Sequence, residues 1–190
     1  MPMSRPILLM IVASTRPGRV GRSVADWFEG AAREHGAFEV EVADLKELDL
    51  PFLDEPNHPR LQKYTHDHTK RWSAIVERAH AVVFVMPEYN YGFNAPVKNA
   101  LDYLFHEWRH KPVSFVSYGG VSGGLRATQM FKQVVTTVGM HPTQAAVTIP
   151  VVAESMGDGR FTPDDVVAES AAPMLDELAS LSEALRPLRG

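Results

Sequence analysis

The chain has no cysteine among its 190 residues. That absence excludes disulfides, thiolate metal sites, cysteine nucleophiles and iron–sulfur clusters held by cysteine. It is compatible with a reducing compartment, and the expected location is cytoplasmic. Long hydrophobic runs are missing as well, since none approaches the roughly 20 residues that span a bilayer. The stretch MPMSRPILLMIVAST has one arginine and a short apolar run, as a signal peptide does. A polar loop and an amphipathic helix follow at once, so it reads as a first core strand. There is little excess charge: a formal net charge of −4 gives no electrostatic case for nucleic acid or an anionic membrane. Internal repeats, low-complexity tracts and linkers are absent too. What is there is 45% hydrophobic, enough for one domain over 1–190 with a real core.

The apolar runs fall at regular intervals. Pro6–Ala13, Ala81–Met86 and Pro112–Tyr118 read as strands buried on both faces. Phe38–Ala43 alternates, as an edge strand does, and Pro142–Pro150 reads as the last strand. Helical spacing of Val24, Trp27, Phe28 and Ala31 predicts a first helix ended by Gly36. Further helices are predicted over Leu61–Ala79, with His66 and His68 on different faces toward solvent, and over Pro96–Trp108, Leu125–Val138 and Asp164–Leu185. Asp44–Pro59 and Glu154–Pro163 read as loops. Pro87 is expected to stop the central strand, and Asn94 to cap the helix after it. Strands alternating with helices predict an α/β fold. The expected form is a doubly wound five-stranded parallel sheet of order 2-1-3-4-5 in a three-layer αβα sandwich.

Three loops leave the carboxyl ends of strands that such an order makes neighbours, which is where open α/β sheets bind ligands. Ser14–Ser23 (STRPGRVGRS) carries three hydroxyls and three guanidinium groups ahead of a helix. Hydroxyls, arginines and a helix start together suit an anion. Neither the dinucleotide fingerprint nor the P-loop pattern is present, so the expected ligand is a monophosphate. Pro87–Gly92 offers aromatic faces and the amide of Asn90. Tyr118–Gly124 offers a phenol and glycines that let a flat ring approach the backbone. A phosphate at one end and a planar heterocycle at the other describe flavin mononucleotide, FMN.

The succession STRPGR…PEYNYG…PVKNALDYL…SYGG, over about Ile7–Pro150, resembles the NADPH-dependent FMN reductase and quinone/azo reductase family. The resemblance implies a flavodoxin-like fold and an FMN-dependent oxidoreductase using NADPH or NADH. The acceptor would be a quinone, an azo compound or free flavin, reached by a ping-pong cycle. It implies that Ser14, Arg16, Arg19, Gly21, Arg22 and Ser23 hold the phosphate. Pro87, Glu88, Tyr89, Asn90 and Tyr91 would meet the ribityl chain and ring edge, and Ser117, Tyr118, Gly119 and Gly120 would close the ring pocket. It also implies a homodimer or homotetramer, with Phe93, Tyr103, Phe105 and Trp108 available either to a subunit boundary or to the core. Two departures stand out: Ala13-Ser14 where many members have Gly-Ser, and Ala95-Pro96-Val97 where many have Pro-Gly before Lys-Asn. The second bears on the exposed face of the ring, and so on substrate choice. No side chain is expected to act as an acid or base.

Other readings compete. His106-Glu107-Trp108-Arg109-His110 matches HExxH, a zinc signature, but Lys111-Pro112 ends the predicted helix at once and no third ligand follows at a familiar spacing. Gly120-Val121-Ser122-Gly123-Gly124 matches GxSxG between a strand and a helix, the context of a hydrolase nucleophile. The one later histidine, His141, precedes the later acids Asp158, Asp164 and Asp165, the wrong order for that fold. Ser122 is expected instead to cap the following helix near the flavin. A non-enzymatic flavodoxin-type electron carrier is the third class, and three arginines around the phosphate suit an acidic docking face poorly.

Overall fold

The structure is a computed structural model and describes residues 5–189. Strand β1 (Ile7–Val12) leads to helix α1 (Gly21–His35), β2 (Glu39–Asp44) and a single turn, α2 (Leu45–Leu48). After a long loop come α3 (Asp67–Arg78), β3 (Ala81–Tyr89), β4 (Gly92–Phe93) and α4 (Ala95–Asp102). Then follow β5 (Pro112–Tyr118), α5 (Leu125–Thr137), β6 (His141–Pro142), β7 (Val147–Ile149), the small hairpin β8 (Met156–Gly157) and β9 (Arg160–Phe161), and α6 (Asp165–Leu185). The main sheet runs β2-β1-β3-β5-β6 in parallel, with β7 also on β5. This is the 2-1-3-4-5 order that the apolar runs predict, with the last strand split in two.

Alternation along β1 divides the core. Leu9 and Ile11 point to the face covered by α3, α4 and α5, where Trp72, Leu101 and Phe131 pack. Leu8, Met10 and Val12 point to the opposite face, against Phe28 of α1 and Met174 and Leu178 of α6. A strand buried on both sides has no polar face, so its residues read as an unbroken apolar run.

Several local expectations need correction. Pro87 does not stop β3. The strand continues to Tyr89, with Pro87 opposite Tyr118, and turns back through Asn90 (φ 49°) and Tyr91 (φ 70°) into β4. Two successive residues at positive φ match the strand twist, which makes this a tight hairpin. Asn94 does not cap α4. Its side-chain Nδ2 donates to the Ala13 carbonyl at 2.6 Å, which ties β1 to the start of α4. Helix α3 begins at Asp67, six residues later than predicted, after a 3-10 turn at Pro59–Leu61. His66 precedes that helix rather than lying in it, so its ring stacks on His68 at 5.2 Å and both stand near Asp54. Neither is fully exposed.

The helix expected over Pro96–Trp108 ends at Asp102, and His106–Trp108 is a 3-10 turn. The HExxH residues therefore share no helical face. Glu107 is buried and accepts from Tyr64 Oη and Ser73 Oγ, both at 2.7 Å. His110 (φ 60°) stacks instead on His141. Among the described residues no group of three or more His, Asp or Glu is arranged to hold a metal. Tyr103 and Trp108 are core, each fully buried, while Phe93 and Phe105 are half-buried. The Glu154–Pro163 loop contains the β8–β9 hairpin, whose Phe161 packs edge-on against Trp27 of α1. No described helix is long and apolar enough to cross a membrane.

Candidate functional site

The three loops meet at the carboxyl ends of β1, β3 and β5, because those strands are adjacent in the sheet. Ser14, one residue past Ala13, is 2% exposed, and its Oγ lies 3.3 Å from the Tyr89 hydroxyl. Tyr118, at the end of β5, is 4% exposed and reaches across to the start of α1. A Cβ on Gly21 would overlap its hydroxyl, so glycine is what lets the phenol lie against the helix terminus. That hydroxyl has no hydrogen-bond partner among the described residues. Burial drives the Tyr118 pKa well above the ordinary phenol value and outweighs the lowering effect of Ser14 beside it, so the group is a neutral donor. The start of α1 has no side-chain cap either, so its first N–H groups are left open to an anion. Ser14, Tyr118 and the α1 terminus thus form one donor-rich corner.

The arginines of the first loop do not all face this corner. Arg19 donates to both carboxylate oxygens of Asp44, at 2.5 and 2.6 Å, and to the Ser14 carbonyl at 2.5 Å. Its role in the structure is to hold the loop's shape. Arg22 binds Asp26 one turn along α1, and Ser23 Oγ accepts from the Phe161 N–H at 2.7 Å, which docks the β8–β9 hairpin. Arg16 is exposed at the loop's tip. A cavity of about 810 Å³ adjoins this loop at Thr15 and is lined also by Leu50, Pro51, Phe52, Pro96 and Asn99. The Asp44–Pro59 loop that walls it is strapped down by Asn99, which accepts from the Leu53 N–H and donates to the Pro51 carbonyl.

At the other end, Tyr89 and Tyr91 are 40% and 65% exposed, so the hairpin presents aromatic faces to solvent. Asn90 shares the turn, and its left-handed backbone fixes where its amide starts. Across from it, Ser117 Oγ donates to the Gly123 carbonyl at 2.9 Å. Gly119 lies against the Glu88 Cβ, whereas an added Cβ at Gly120 would meet nothing within 4 Å. Open space at Gly120 is the approach a flat ring needs.

Ser122 is not a cap: Gly124, at φ 88°, precedes α5 and has no side chain. The Ser122 hydroxyl donates to Glu88 Oε1 at 2.7 Å. His141 pairs with Pro112 at the opposite end of β5, and seven residues of strand separate it from the loop after Tyr118, roughly 20 Å at strand rise. No hydrolytic dyad forms between Ser122 and His141. Glu88 was expected among the cofactor contacts, yet its carboxylate is spent inside the protein, on Ser122 and the first turn of α5. Sequence reasoning missed that bond, because nothing in PEYN or GGVSGG separately signals it.

Burial on its own would raise the Glu88 pKa. Hydrogen bonds from Ser122, the Ala127 N–H and Arg126 outweigh it and bring the pKa below the usual carboxylate value. A depressed carboxylate contributes stability above its unfolded pKa and loses it as pH falls through the folded one. Amide exchange at Arg126 and Ala127 should therefore be flat from neutral pH to about pH 5, once corrected for the intrinsic rate, and rise only below about pH 4.

The comparisons with known proteins bear on the family and the fold. The model of the NADPH-dependent FMN reductase family matches residues 6–154. The chain belongs to that family. It is 40% identical over 149 residues to an NAD(P)H-dependent FMN reductase of Schizosaccharomyces pombe, covering 76% of this chain and 74% of that one. It is 28% identical over 178 residues to an NADPH azoreductase of a Bacillus species, covering 89% and 87%. Among solved structures, a flavoenzyme NAD(P)H:(acceptor) oxidoreductase of Paracoccus denitrificans superposes with a TM-score of 0.72 at 21% identity, covering 95% and 98%, a likeness of fold. This FMN reductase family member is an oxidoreductase with the flavodoxin-like fold that its sequence resemblance implies.

Proposed function

We propose that the protein binds FMN across the three loops and reduces a small acceptor at the expense of NADPH or NADH. The observation that carries this is the Tyr118 hydroxyl, which is buried and, among the described residues, without a hydrogen-bond partner, beside an uncapped helix start. Leaving a buried donor unpaired costs about 1–3 kcal/mol, and a phosphate oxygen removes that cost. Ser14 and the first N–H groups of α1 would share the phosphate, with Arg16 at the rim. Tyr89, Asn90 and Tyr91 would flank the ring and Gly119 and Gly120 would lie beneath its edge. When bound, FMN supplies hydride acceptance and return. The chain's own residues hold it, exclude water from one side and leave the other side open. Nucleotide and acceptor would use that open side in turn, a ping-pong order. Quinones, azo compounds and free flavin are the acceptor classes we infer, in keeping with the azoreductase among the relatives.

A carrier reading is disfavoured by the family assignment, and steady NADPH consumption with a small acceptor separates the two. We also infer a homodimer or homotetramer, supported by Phe52 at 84% exposed and Tyr91 at 65%, and light scattering reads it directly.

The test of the site is Tyr118→Phe. Removing an unpaired buried hydroxyl should leave the apo protein as stable or stabilise it by about 1 kcal/mol, while FMN affinity falls several-fold. Thermal melts with and without FMN check both. Unchanged FMN affinity would move the phosphate elsewhere.

A further inference from the structure

The carboxylate of Glu88, set between two of the loops, is the feature that the proposed chemistry leaves unused. Its side chain is 7% exposed. Oε1 accepts from Ser122 Oγ at 2.7 Å and from an Arg126 guanidinium nitrogen at 3.2 Å. Oε2 accepts from the backbone N–H groups of Arg126 at 3.1 Å and Ala127 at 3.3 Å. All four donors belong to the β5–α5 connection and the first turn of α5. Gly124 cannot cap that helix, so a carboxylate from a strand more than thirty residues earlier does it instead. On the hairpin side, Glu88 pairs with Phe93 across β3 and β4, and its Cβ fills the space over Gly119. Arg126, held by Glu88, lays its guanidinium 4.0 Å above the Tyr91 ring. One side chain therefore joins the aromatic hairpin to the glycine loop facing it.

We propose that Glu88 is a positioning residue that fixes the separation of the Tyr89–Tyr91 hairpin from the Gly119–Gly124 loop, and with it the width of the slot for the planar ring. It acts through the two loops and not by touching the ring, since both of its oxygens are already engaged. The proposal rests on the FMN reading above. It accounts for an acidic residue beside a site built otherwise of donors and aromatic faces. It also gives Ser122 a part as the clamp's partner, in place of a nucleophile's.

The experiment compares Glu88→Gln, Glu88→Ala and Ser122→Ala with the wild type. FMN affinity is read by fluorescence quenching, the bound flavin by visible circular dichroism, and the loop by amide exchange at Arg126 and Ala127. Glu88→Ala should weaken FMN by about tenfold or more and speed exchange at those two amides at least as much, with the β1 amides unchanged. Glu88→Gln keeps an acceptor for Ser122 but turns an NH2 toward the helix N–H groups, so it should fall in between. Ser122→Ala, which removes one donor, should cost roughly threefold. The visible dichroism of flavin-saturated Glu88→Gln should differ from wild type, which a general loss of stability would not produce. Wild-type FMN affinity and dichroism in Glu88→Gln would overturn the proposal, whatever the exchange rates. Failure of the wild type to bind FMN would overturn the FMN reading and the slot with it, while the exchange data would still report whether Glu88 ties the loops together.

Discussion

Asp44→Ala should destabilise the protein by about 3–5 kcal/mol, the usual cost of stripping one partner from a buried ion pair. Asp44 closes β2 with its side chain 1% exposed, and Arg19 opposite is 10% exposed. Removing the carboxylate strands a guanidinium that cannot lose its proton. It also removes the acceptor for the Lys46 N–H at the start of α2. At about 2–4 °C per kcal/mol for a chain this size, the melting temperature should drop by roughly 6–20 °C. The contrast is Glu183→Ala, which breaks an exposed pair with Arg186 one turn away and should cost less than about 1 kcal/mol. The effect should also reach function. Arg19 fixes the Ser14 carbonyl, so the loop between β1 and α1 loosens when Arg19 swings free, and FMN affinity should fall with stability. Replacing both partners by apolar residues, Arg19→Met with Asp44→Leu, should recover much of the stability while leaving the loop less ordered. Melts and FMN titrations on the three variants read each part. A loss below about 1 kcal/mol for Asp44→Ala would mean that water reaches the pair and that another contact shapes the loop.

The sequence pattern carried the strand order because β1, β3 and β5 are buried on both faces and so appear as unbroken apolar runs. Gly36 marked the end of α1 because it alone there adopts a left-handed cap, φ 77°. What it did not carry are contacts between residues far apart in the chain. Asn94 looks like a helix cap, since Pro96 follows two residues later, in the first turn of the helix. Only the sheet brings it beside Ala13, eighty-one residues earlier. Arg19 looks like a phosphate ligand until β2 delivers Asp44 next to it. Ser122 looks like a nucleophile or a cap until the hairpin delivers Glu88. The hairpin itself was hidden because its left-handed positions are Asn90 and Tyr91, with glycine one place later than a two-residue turn prefers. Proline at 87 suggested an end, yet its ring sits opposite Tyr118 without interrupting the pairing. In each case a local signal was read correctly for its type and lost to a tertiary partner.

Two glycines in one loop should both matter for FMN but differ in their effect on stability, and the difference tests how the ring approaches. Gly124 adopts φ 88°, and an added Cβ would come within 2.6 Å of the Ser117 Cβ and 2.8 Å of the Tyr118 backbone nitrogen. The left-handed backbone costs a β-carbon about 1–2 kcal/mol, and the clash with β5 adds to it because a strand cannot move aside. Gly124→Ala should therefore lose about 2–4 kcal/mol in total and drag the start of α5 away from Glu88. FMN binding should be lost with it. Gly120 meets nothing within 4 Å and its backbone is not left-handed, so Gly120→Ala should leave stability within about 0.5 kcal/mol. If a flat ring lies along the backbone there, a single methyl group still obstructs it, and FMN affinity should fall about tenfold or more with the fold intact. Denaturation and FMN titration on the two variants separate a loop that must be glycine to fold from one that must be glycine to bind. Gly120→Ala with wild-type affinity would shift the ring toward the Tyr89–Tyr91 hairpin and away from the β5–α5 loop.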